Sequence, residues 1–173
     1  MKVVLYMAVT ANGMIAGEND DVSWVSKASW KSYTAAVKRA DVVLVGRRTY
    51  ELMPASEFTK EKPYVVFTRR EWRKKTPFVR FTQDSPRDVL RDLNQEGLKK
   101  ACLIGGAMLN TALLEAGLID HVYVDVHPLM LARGTPIFNG NRSNVQLILI
   151  GSKKLKDSVV QLHYKVNKQR SNV

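Results

Sequence analysis

The chain has 173 residues, of which 45% are hydrophobic, and its formal net charge is +11. This length is typical of one domain that buries a core without disulfide bonds, and the single cysteine, Cys102, excludes an intramolecular disulfide. We therefore expect one domain over residues 1–173, in a reducing cytoplasm and without a membrane span, because no apolar run approaches about 20 residues.

The positive charge points to an anionic partner without identifying it. An excess of lysine and arginine attracts nucleic acid, an acidic membrane surface or a phosphorylated cofactor. The same excess also keeps many proteins soluble, so the charge alone selects no function. Cys102 lies inside an apolar run, which indicates a buried core residue rather than a nucleophile.

Short apolar runs alternate with helical patterns along the chain. Runs rich in β-branched and aromatic residues predict eight strands, at residues 2–9, 42–45, 64–68, 78–81, 101–104, 119–126, 145–150 and 159–164. Strands separated by helices imply parallel crossovers, whereas the last two strands are joined by a short connection that favours an antiparallel hairpin.

Three helices are predicted between these strands. The first begins at Ser26, a serine N-cap followed by apolar residues at helical spacing. The second begins at Ser85 and Pro86, an N-cap followed by a proline at the first helical position. The third follows Gly106 and ends at Gly117. The pattern predicts a mixed sheet with helices on its faces.

Two glycine turns are the most informative motifs. In VVLVGRRTYE, residues 42–51, a buried strand ends at Gly46, and a helix start there would direct free backbone N–H groups and a positive helix end at a phosphate. Arg47, Arg48 and Thr49 add side-chain donors. The run CLIGGAML, residues 102–109, repeats the order of strand, glycine and helix. A glycine pair alone is a weak signal, but two such turns in one domain suggest a dinucleotide.

The order of the motifs resembles the dihydrofolate reductase superfamily. The matching segments, in chain order, are MAVTANGMIAG, Trp24, VGRRTYE, VVFTRR, LIGGAMLNTALLEAGLID and VDVHPLMLARGTPIF. The similarity is closest to the branch that contains the reductase domain of riboflavin biosynthesis. It implies a dihydrofolate-reductase-like three-layer α/β fold, with a mixed, mostly parallel eight-stranded sheet, helices on both faces and a C-terminal antiparallel hairpin. It also implies NADPH as hydride donor and a homodimer.

The resemblance assigns cofactor contacts to three segments and to a nicotinamide pocket. The residues that it implies are Gly46, Arg47, Arg48 and Thr49 for the phosphates; Thr68, Arg69 and Arg70 for the adenosine 2′-phosphate; Gly105, Gly106, Ala107, Met108 and Leu109 for the pyrophosphate and nicotinamide half; and Ala8 and Ile15 for the nicotinamide pocket. A pair of guanidinium groups suits a phosphate dianion, which favours NADPH over NADH.

Residues 10–23, TANGMIAGENDDVS, form a polar stretch before the first helix. Asn12-Gly13 is strong turn chemistry, and a stretch of this length is often a lid. The resemblance implies that it closes over nicotinamide and substrate; the alternative is an ordinary flexible connection. Trp24 and Trp30 flank the expected substrate cleft, although aromatic residues on a helix face more often belong to the core.

The sequence departs from folate-reducing enzymes in the first helix. Those enzymes hold the pterin with a carboxylate there, but residues 27–38 contain no Asp or Glu, and Trp30 lies near that position. We therefore do not expect dihydrofolate as the natural substrate. Asp20 and Asp21 could supply a general acid, although adjacent exposed aspartates usually form a turn, so the catalytic residue remains unassigned. Arg133 could contact an anionic substrate.

Other chemistries are not indicated. His121, His127 and His163 fall on strands without carboxylate or cysteine partners at metal spacing, so we expect no metal site and interpret His127 as structural. The chain contains no G-x-S-x-G elbow and no P-loop.

Two functions follow, one from the resemblance and one from the positive charge. The first is an NADPH-dependent reductase that transfers hydride to a C=N or C=O of a pterin- or pyrimidine-like heterocycle. The alternative is a non-catalytic nucleotide- or nucleic-acid-binding protein on the same fold. The basic cluster at residues 69–75, with Trp72, could stack and bind single strands, but one aromatic residue favours a solvated loop with partial cofactor contact.

Overall fold

The computed structural model describes residues 1–71, 77–140 and 144–168. Its strands are β1 (Lys2–Thr10), β2 (Met14–Ala16), β3 (Val42–Gly46), β4 (Tyr64–Phe67), β5 (Val79–Thr82), β6 (Lys100–Leu103), β7 (His121–His127), β8 (Thr135–Pro136), β9 (Leu147–Lys154) and β10 (Val160–Val166). Its helices are α1 (Lys27–Lys38), α2 (Arg47–Leu52), α3 (Pro86–Gln95) and α4 (Ala107–Glu115), and 3₁₀ turns lie at Glu18–Asp20 and Ala55–Glu57.

The main sheet has eight strands in the order β5-β4-β3-β6-β1-β7-β10-β9. The pairs from β5 to β7 are parallel, whereas β10 pairs antiparallel with both β7 and β9. The predicted mixed, mostly parallel sheet with a C-terminal antiparallel hairpin is therefore confirmed. The largest difference in strand bounds is at β9, which ends at Lys154 rather than at residue 150.

Helices cover both faces of the sheet, as the three-layer prediction requires. On one face, Leu44 of β3 shares a hydrophobic cluster with Leu90 of α3 and Leu113 of α4. On the other face, Val45 belongs to a second cluster with Val37 of α1. Alternate residues of one strand point to opposite faces, so this short run of apolar residues in β3 serves both cores. The central strands are consequently buried on both sides.

Two of the three predicted helix starts are confirmed by side-chain caps. The Ser26 side chain accepts a hydrogen bond from the backbone N–H of Ser29, and the Ser85 side chain accepts one from Asp88. Helix α2, which follows Gly46, is short, and the three-helix prediction omitted it even though the glycine turn indicated a helix start.

Cys102 is buried in β6, as expected for a core residue. Burial raises the pKa of its thiol to about 12, so the group stays protonated at neutral pH. A buried, protonated thiol is a poor nucleophile. The position therefore serves packing between the central strands.

The stretch at residues 10–23 contains regular structure that the sequence analysis missed. Residues Met14–Ala16 form β2, which pairs antiparallel with β8 as a two-stranded ribbon outside the main sheet. The ribbon is tight, because a Cβ on Gly134 would overlap the carbonyl oxygen of Ala16. Alternation over three residues is too short to distinguish a strand from a loop. This segment is thus anchored at its centre.

No helix in the described part of the chain is both long and apolar enough to cross a membrane.

Candidate active site

A cavity of about 750 Å³ opens where the parallel strands β3, β4 and β6 end, beside the middle of β1. This position follows a general rule for open α/β sheets, in which ligands bind beyond the carboxyl ends of the strands. A second cavity, of about 800 Å³, lies near the opposite end of β1, and Lys2, His121 and Lys165 contribute to its lining. None of the predicted cofactor residues lines that second cavity.

The two glycine turns touch each other at the wall of the first cavity. The backbone N–H of Gly46 donates to the carbonyl oxygen of Gly105 at 2.7 Å, and the peptide bond between Gly105 and Gly106 is cis. A Cβ on Gly46 would lie 3.1 Å from the backbone nitrogen of Gly106, and one on Gly106 would lie 3.1 Å from Oγ1 of Thr49. Both positions leave little room for a side chain.

Every predicted cofactor residue except Gly105 lines this cavity. Gly105 contributes its carbonyl oxygen to the contact with Gly46 instead. Helix α4 begins directly at the cavity wall, where Gly106, Ala107 and Met108 lie. The first N–H groups of a helix lack intrahelical acceptors, so this end of α4 offers donors and a partial positive charge to an anion.

The four arginines at the cavity differ in their present partners. Arg47 binds Glu51 at 2.7 Å, one helical turn along α2, and Arg48 binds Asp20 of the 3₁₀ turn at 2.8 Å. Arg69 and Arg70 are exposed after β4. Their loop is held by Thr68, whose Oγ1 accepts a hydrogen bond from the backbone N–H of Arg70. An anion at Arg47 or Arg48 would compete with a carboxylate.

Aromatic and apolar side chains line the other half of the cavity. Trp30 and Tyr33 of α1 meet edge to face at 5.7 Å between ring centroids, and Tyr33 meets Tyr6 at 6.1 Å. Trp30 keeps 47% of its surface exposed although the sequence also allowed a core position. Trp24 does not line the cavity; it packs on His127 at 5.0 Å, and its Nε1 donates to the carbonyl oxygen of Asp21.

Beneath this aromatic half lies a buried polar group, the Asp125 cluster, formed by Tyr6, Ser29, Asp125 and Gln161. Asp125 Oδ2 accepts hydrogen bonds from the Tyr6 hydroxyl and the Ser29 hydroxyl, both at 2.6 Å, and Oδ1 accepts one from Gln161 Nε2 at 2.8 Å. Asp125 is fully buried, whereas Tyr6 and Ser29 also line the cavity. Burial and the neighbouring Asp125 both raise the pKa of Tyr6.

This cluster was not predicted from the sequence. Asp125 stands in the run HVYVDVH, where a single acidic residue interrupts the apolar and aromatic residues between the two terminal histidines. Because charged residues are rarely buried without a partner, that isolated aspartate was the available signal. The remaining members carry no sequence signature, since serine, tyrosine and glutamine occur in many environments.

Other candidate residues lie outside the reacting region. His127 is buried, its Nε2 accepts from the backbone N–H of Ser26, and its Nδ1 faces the carbonyl oxygen of Asp125, which confirms a structural role. Arg133 is exposed, 3.5 Å from Glu18, and does not line the cavity, so the suggested contact with a substrate there is not supported. The backbone N–H of Ser23 lowers the pKa of Asp21 by hydrogen bonding, consistent with a turn.

His121 and His163 are neighbours across β7 and β10, with ring nitrogens 2.9 Å apart. The sequence predicts them on separate strands, and only the strand pairing shows that β7 and β10 are adjacent. Among the described residues, no group of three or more histidine, cysteine or acidic side chains is arranged to hold a metal ion.

The sequence pattern of the RibD C-terminal domain family matches residues 1–161. The chain belongs to the RibD C-terminal domain family. Within this family context, the predicted resemblance to the riboflavin-biosynthesis branch of the dihydrofolate reductase superfamily is confirmed.

Three known proteins illustrate the similarity. The uncharacterized protein YwjB of Bacillus subtilis is 31% identical over 170 residues, covering 94% of this chain and 97% of YwjB. The diaminohydroxyphosphoribosylaminopyrimidine deaminase/5-amino-6-(5-phosphoribosylamino)uracil reductase of Thermotoga maritima superposes with a TM-score of 0.79 at 19% identity, covering 96% of this chain and 56% of that one. Dihydrofolate reductase of Enterococcus faecalis, solved in complex with NADP(H), gives a TM-score of 0.70 at 14% identity, covering 96% and 97%.

At these identities the two solved structures establish the fold, and the dihydrofolate-reductase-like architecture is confirmed. This RibD C-terminal domain therefore belongs to a group whose structural neighbours are reductases.

Proposed function

We propose that this protein is an NADPH-dependent reductase that transfers hydride to a C=N or C=O group of a pterin- or pyrimidine-like heterocycle. The observation that carries the proposal is the contact between the two glycine turns at one wall of a cavity whose other half is aromatic. One wall suits the phosphates of a dinucleotide, and the other suits a planar ring.

The cofactor assignment draws on the chain's own donors. The start of α4, Thr49 and the exposed guanidinium groups of Arg69 and Arg70 surround the phosphate side of the cavity. Two guanidinium groups match a 2′-phosphate dianion, which distinguishes NADPH from NADH. The complex of the Enterococcus faecalis enzyme with NADP(H) supports the same assignment.

The proposed substrate class rests on the aromatic half of the cavity. The Thermotoga maritima relative reduces an aminouracil derivative by its name, and Trp30 and Tyr33 offer flat aromatic surfaces here. When bound, NADPH supplies the hydride from its nicotinamide ring. The protein contributes orientation: Ala8 and Ile15 line the cavity and would hold the nicotinamide against the substrate.

The proposal is tested by fluorescence titration with NADPH and NADH. We expect micromolar affinity for NADPH, weaker affinity for NADH, and a loss of about tenfold in NADPH affinity for Arg69→Ala with little change for NADH. Arg133→Ala is the matched control, because Arg133 is likewise an exposed arginine and does not line the cavity. Failure of the wild-type protein to bind NADPH would contradict the proposal.

The same experiment addresses the nucleic-acid alternative. Residues 72–76, which include Trp72, lie outside the described residues, so the proposed stacking platform has no structural account. Salt-sensitive binding of a short single-stranded oligonucleotide, without NADPH binding, would favour that alternative.

We also propose that the protein is a homodimer that uses the β9 edge. Four consecutive apolar residues, Leu147 to Ile150, are each 44–56% exposed on this outermost strand. Exposed apolar edge strands are usually covered by a partner. Light scattering should show a dimer that the double variant Ile148→Lys with Leu149→Lys converts to a monomer. Met130→Lys, at another exposed apolar residue, should leave the mass unchanged.

A further inference from the structure

We propose that the second cavity, near the N-terminal end of β1, binds a small phosphate-type oxyanion such as pyrophosphate. Lys2, Lys165 and Lys168 line this cavity together with His121, and its volume is about 800 Å³. That volume lies within the range of small-molecule sites in proteins. The proposal does not rest on the proposed reductase function, since the two cavities share no lining residue.

The strand register brings these positive groups together. Lys165 of β10 lies directly opposite His121 of β7, and Val4 of β1 is the partner of His121 on the other side. Lys2 precedes Val4 by two positions, so the two side chains point to the same face of β1. Lys2, His121 and Lys165 therefore line one cavity from three adjacent strands.

The positive charge of this cavity is not balanced by carboxylates. Among the described residues that line it, Asp120 is the only acidic one, and both of its oxygens already accept hydrogen bonds. Oδ1 accepts from the Lys168 ammonium at 2.6 Å, and Oδ2 accepts from the backbone N–H of Val3 at 2.7 Å. In the portion of the chain that the structure describes, no carboxylate forms an ion pair with Lys2 or Lys165. An anion in the cavity would supply the missing negative charge.

The pair of His121 and His163 adds a group that can gain charge when an anion binds. His121 Nδ1 and His163 Nε2 lie 2.9 Å apart, so one ring donates to the other, and the pair can take up one additional proton while this hydrogen bond is kept. Tyr123 stacks on the His163 ring with 4.0 Å between centroids and fixes its orientation. Burial and, after it, the Lys2 ammonium lower the pKa of both imidazoles.

These charges couple anion binding to proton uptake. The ammonium groups of Lys2 and Lys165 lower the pKa of His121, whereas the Asp120 carboxylate raises it, and Lys2 also lowers the pKa of His163. An anion beside the two ammonium groups offsets their repulsion of an imidazolium, so the pKa of the histidine pair rises on binding. Because the complex then holds more protons than the free protein, the anion binds more tightly as the pH falls.

The shape of the cavity suits a compact anion better than a nucleic acid. Its cations face a single recess, and Ile148 of β9, the cross-strand partner of Lys165, forms an apolar border. Single-stranded nucleic acid is bound along an extended groove in which exposed aromatic side chains stack on the bases. Among the described residues, the lining includes no Phe, Trp or Tyr side chain. The lysines therefore favour a small anion without requiring a base.

NMR signals of the histidine rings test the proposal, because the chain contains only His121, His127 and His163. The wild-type protein, in its native oligomeric state, is titrated with pyrophosphate at an ionic strength held constant with chloride. We expect the ring signals of His121 and His163 to shift along a saturating curve. The signals of His127, which is buried and does not line this cavity, should stay in place.

A sulfate titration measures the coupling to protons, since the charge of sulfate does not change in the range in which histidine titrates. At pH values of about 5.5 and 8, on either side of the usual histidine pKa, we expect binding to be about fivefold tighter at the lower pH. His121→Gln should abolish this difference, because it removes one partner of the shared hydrogen bond.

Lysine variants locate the anion. Lys2→Gln and Lys165→Gln should each weaken pyrophosphate binding about fivefold, and the double variant should weaken it by about tenfold or more. Lys153→Gln is the matched control, because Lys153 is an exposed lysine on β9 that lines neither cavity. Its affinity for pyrophosphate should equal that of the wild type.

Three results would overturn the proposal. The first is a wild-type protein whose His121 and His163 signals do not respond to pyrophosphate. The second is an equal loss of affinity in Lys153→Gln and in Lys2→Gln, which would indicate general attraction by the net charge of +11. The third is a response to a short single-stranded oligonucleotide without a response to pyrophosphate, which would favour nucleic acid instead. None of these results depends on NADPH binding at the first cavity.

Discussion

The two halves of the cavity are built by different means. The proposed cofactor half is centred on backbone: Gly46 and Gly105 share a hydrogen bond, and absent side chains allow the two turns to meet. The proposed substrate half is made of side chains, and the Asp125 cluster joins groups as far apart in the chain as Tyr6 and Gln161, 155 positions. Backbone turns leave a local sequence signature, whereas a long-range polar cluster leaves almost none.

The largest effect that we expect is a loss of stability when the side-chain half of the cavity is disrupted. Asp125→Ala removes the acceptor for Tyr6, Ser29 and Gln161 and leaves buried donors unsatisfied, so we expect the free energy of unfolding to fall by about 3 kcal/mol. Urea denaturation measures this loss. Asp120→Ala should cost about 1 kcal/mol, because Asp120 is partly exposed. Equal losses for the two variants would show that the cluster has no special structural importance.

The next largest effect is expected when the contact between the two glycine turns is disrupted. A Cβ on Gly46 would lie 3.1 Å from the nitrogen of Gly106, so Gly46→Ala must push the two turns apart. We expect a loss of about 1–2 kcal/mol in stability and about tenfold weaker NADPH binding. Gly151→Ala is the control, since a Cβ there meets nothing within 4 Å, and its stability should change by less than about 0.5 kcal/mol. Unchanged NADPH affinity in Gly46→Ala would show that the contact between the two turns does not contribute to NADPH binding.

A pH experiment sharpens the comparison, because the glycine turns carry no titratable group and the cluster does. The folded-state pKa of Tyr6 lies above its unfolded value of about 10, so its contribution to stability is complete below that pH and is lost as pH rises above it. Tyr6→Phe should therefore flatten the alkaline fall of stability, by up to about 1.4 kcal/mol per pH unit. Urea midpoints between neutral and alkaline pH provide the measurement.

The same series needs a tyrosine outside the cluster as reference. Tyr64, whose pKa burial raises to about 12, lies in β4 and belongs to the opposite end of the sheet. If Tyr6→Phe changes the alkaline slope less than Tyr64→Phe does, the cluster does not hold the Tyr6 proton as described.

The smallest expected effect concerns the ion pair between Asp20 and Arg48, which both line the cavity. Asp20→Asn should therefore release that guanidinium for a phosphate and tighten NADPH binding by about twofold. Stability should change by less than about 0.5 kcal/mol, because Arg48 is exposed. Glu18→Gln, at a second ion pair in the same 3₁₀ turn, should leave NADPH affinity unaltered. Weaker NADPH binding in Asp20→Asn would indicate that Asp20 orients Arg48 rather than blocking it.

Much of the fold was predictable because its signals are local. The apolar runs indicated every strand of the main sheet, and the serine caps gave the starts of α1 and α3. The β2–β8 ribbon was missed because its strands are only three and two residues long. Too few residues remain in such strands for a periodic pattern to emerge.

The part of the candidate site around the two glycine turns was predictable from the sequence. Thirteen of the fourteen residues that the resemblance implied line one cavity, the exception being Gly105. Their role in cofactor binding stays a prediction. The absence of a carboxylate from α1 is visible in the sequence, but the position of Asp125 under that helix is not, because no local pattern relates residue 29 to residue 125.

The sequence by itself determined the alternation of strands and helices and the two places where the backbone turns without side chains, because periodicity, caps and glycine act over a few residues. Only the tertiary structure decided that β1 lies between β6 and β7 and that β10 returns antiparallel beside β7. That strand order brings Tyr6, Ser29, Asp125 and Gln161 together. It results from packing the whole sheet between its helices, which no short segment specifies.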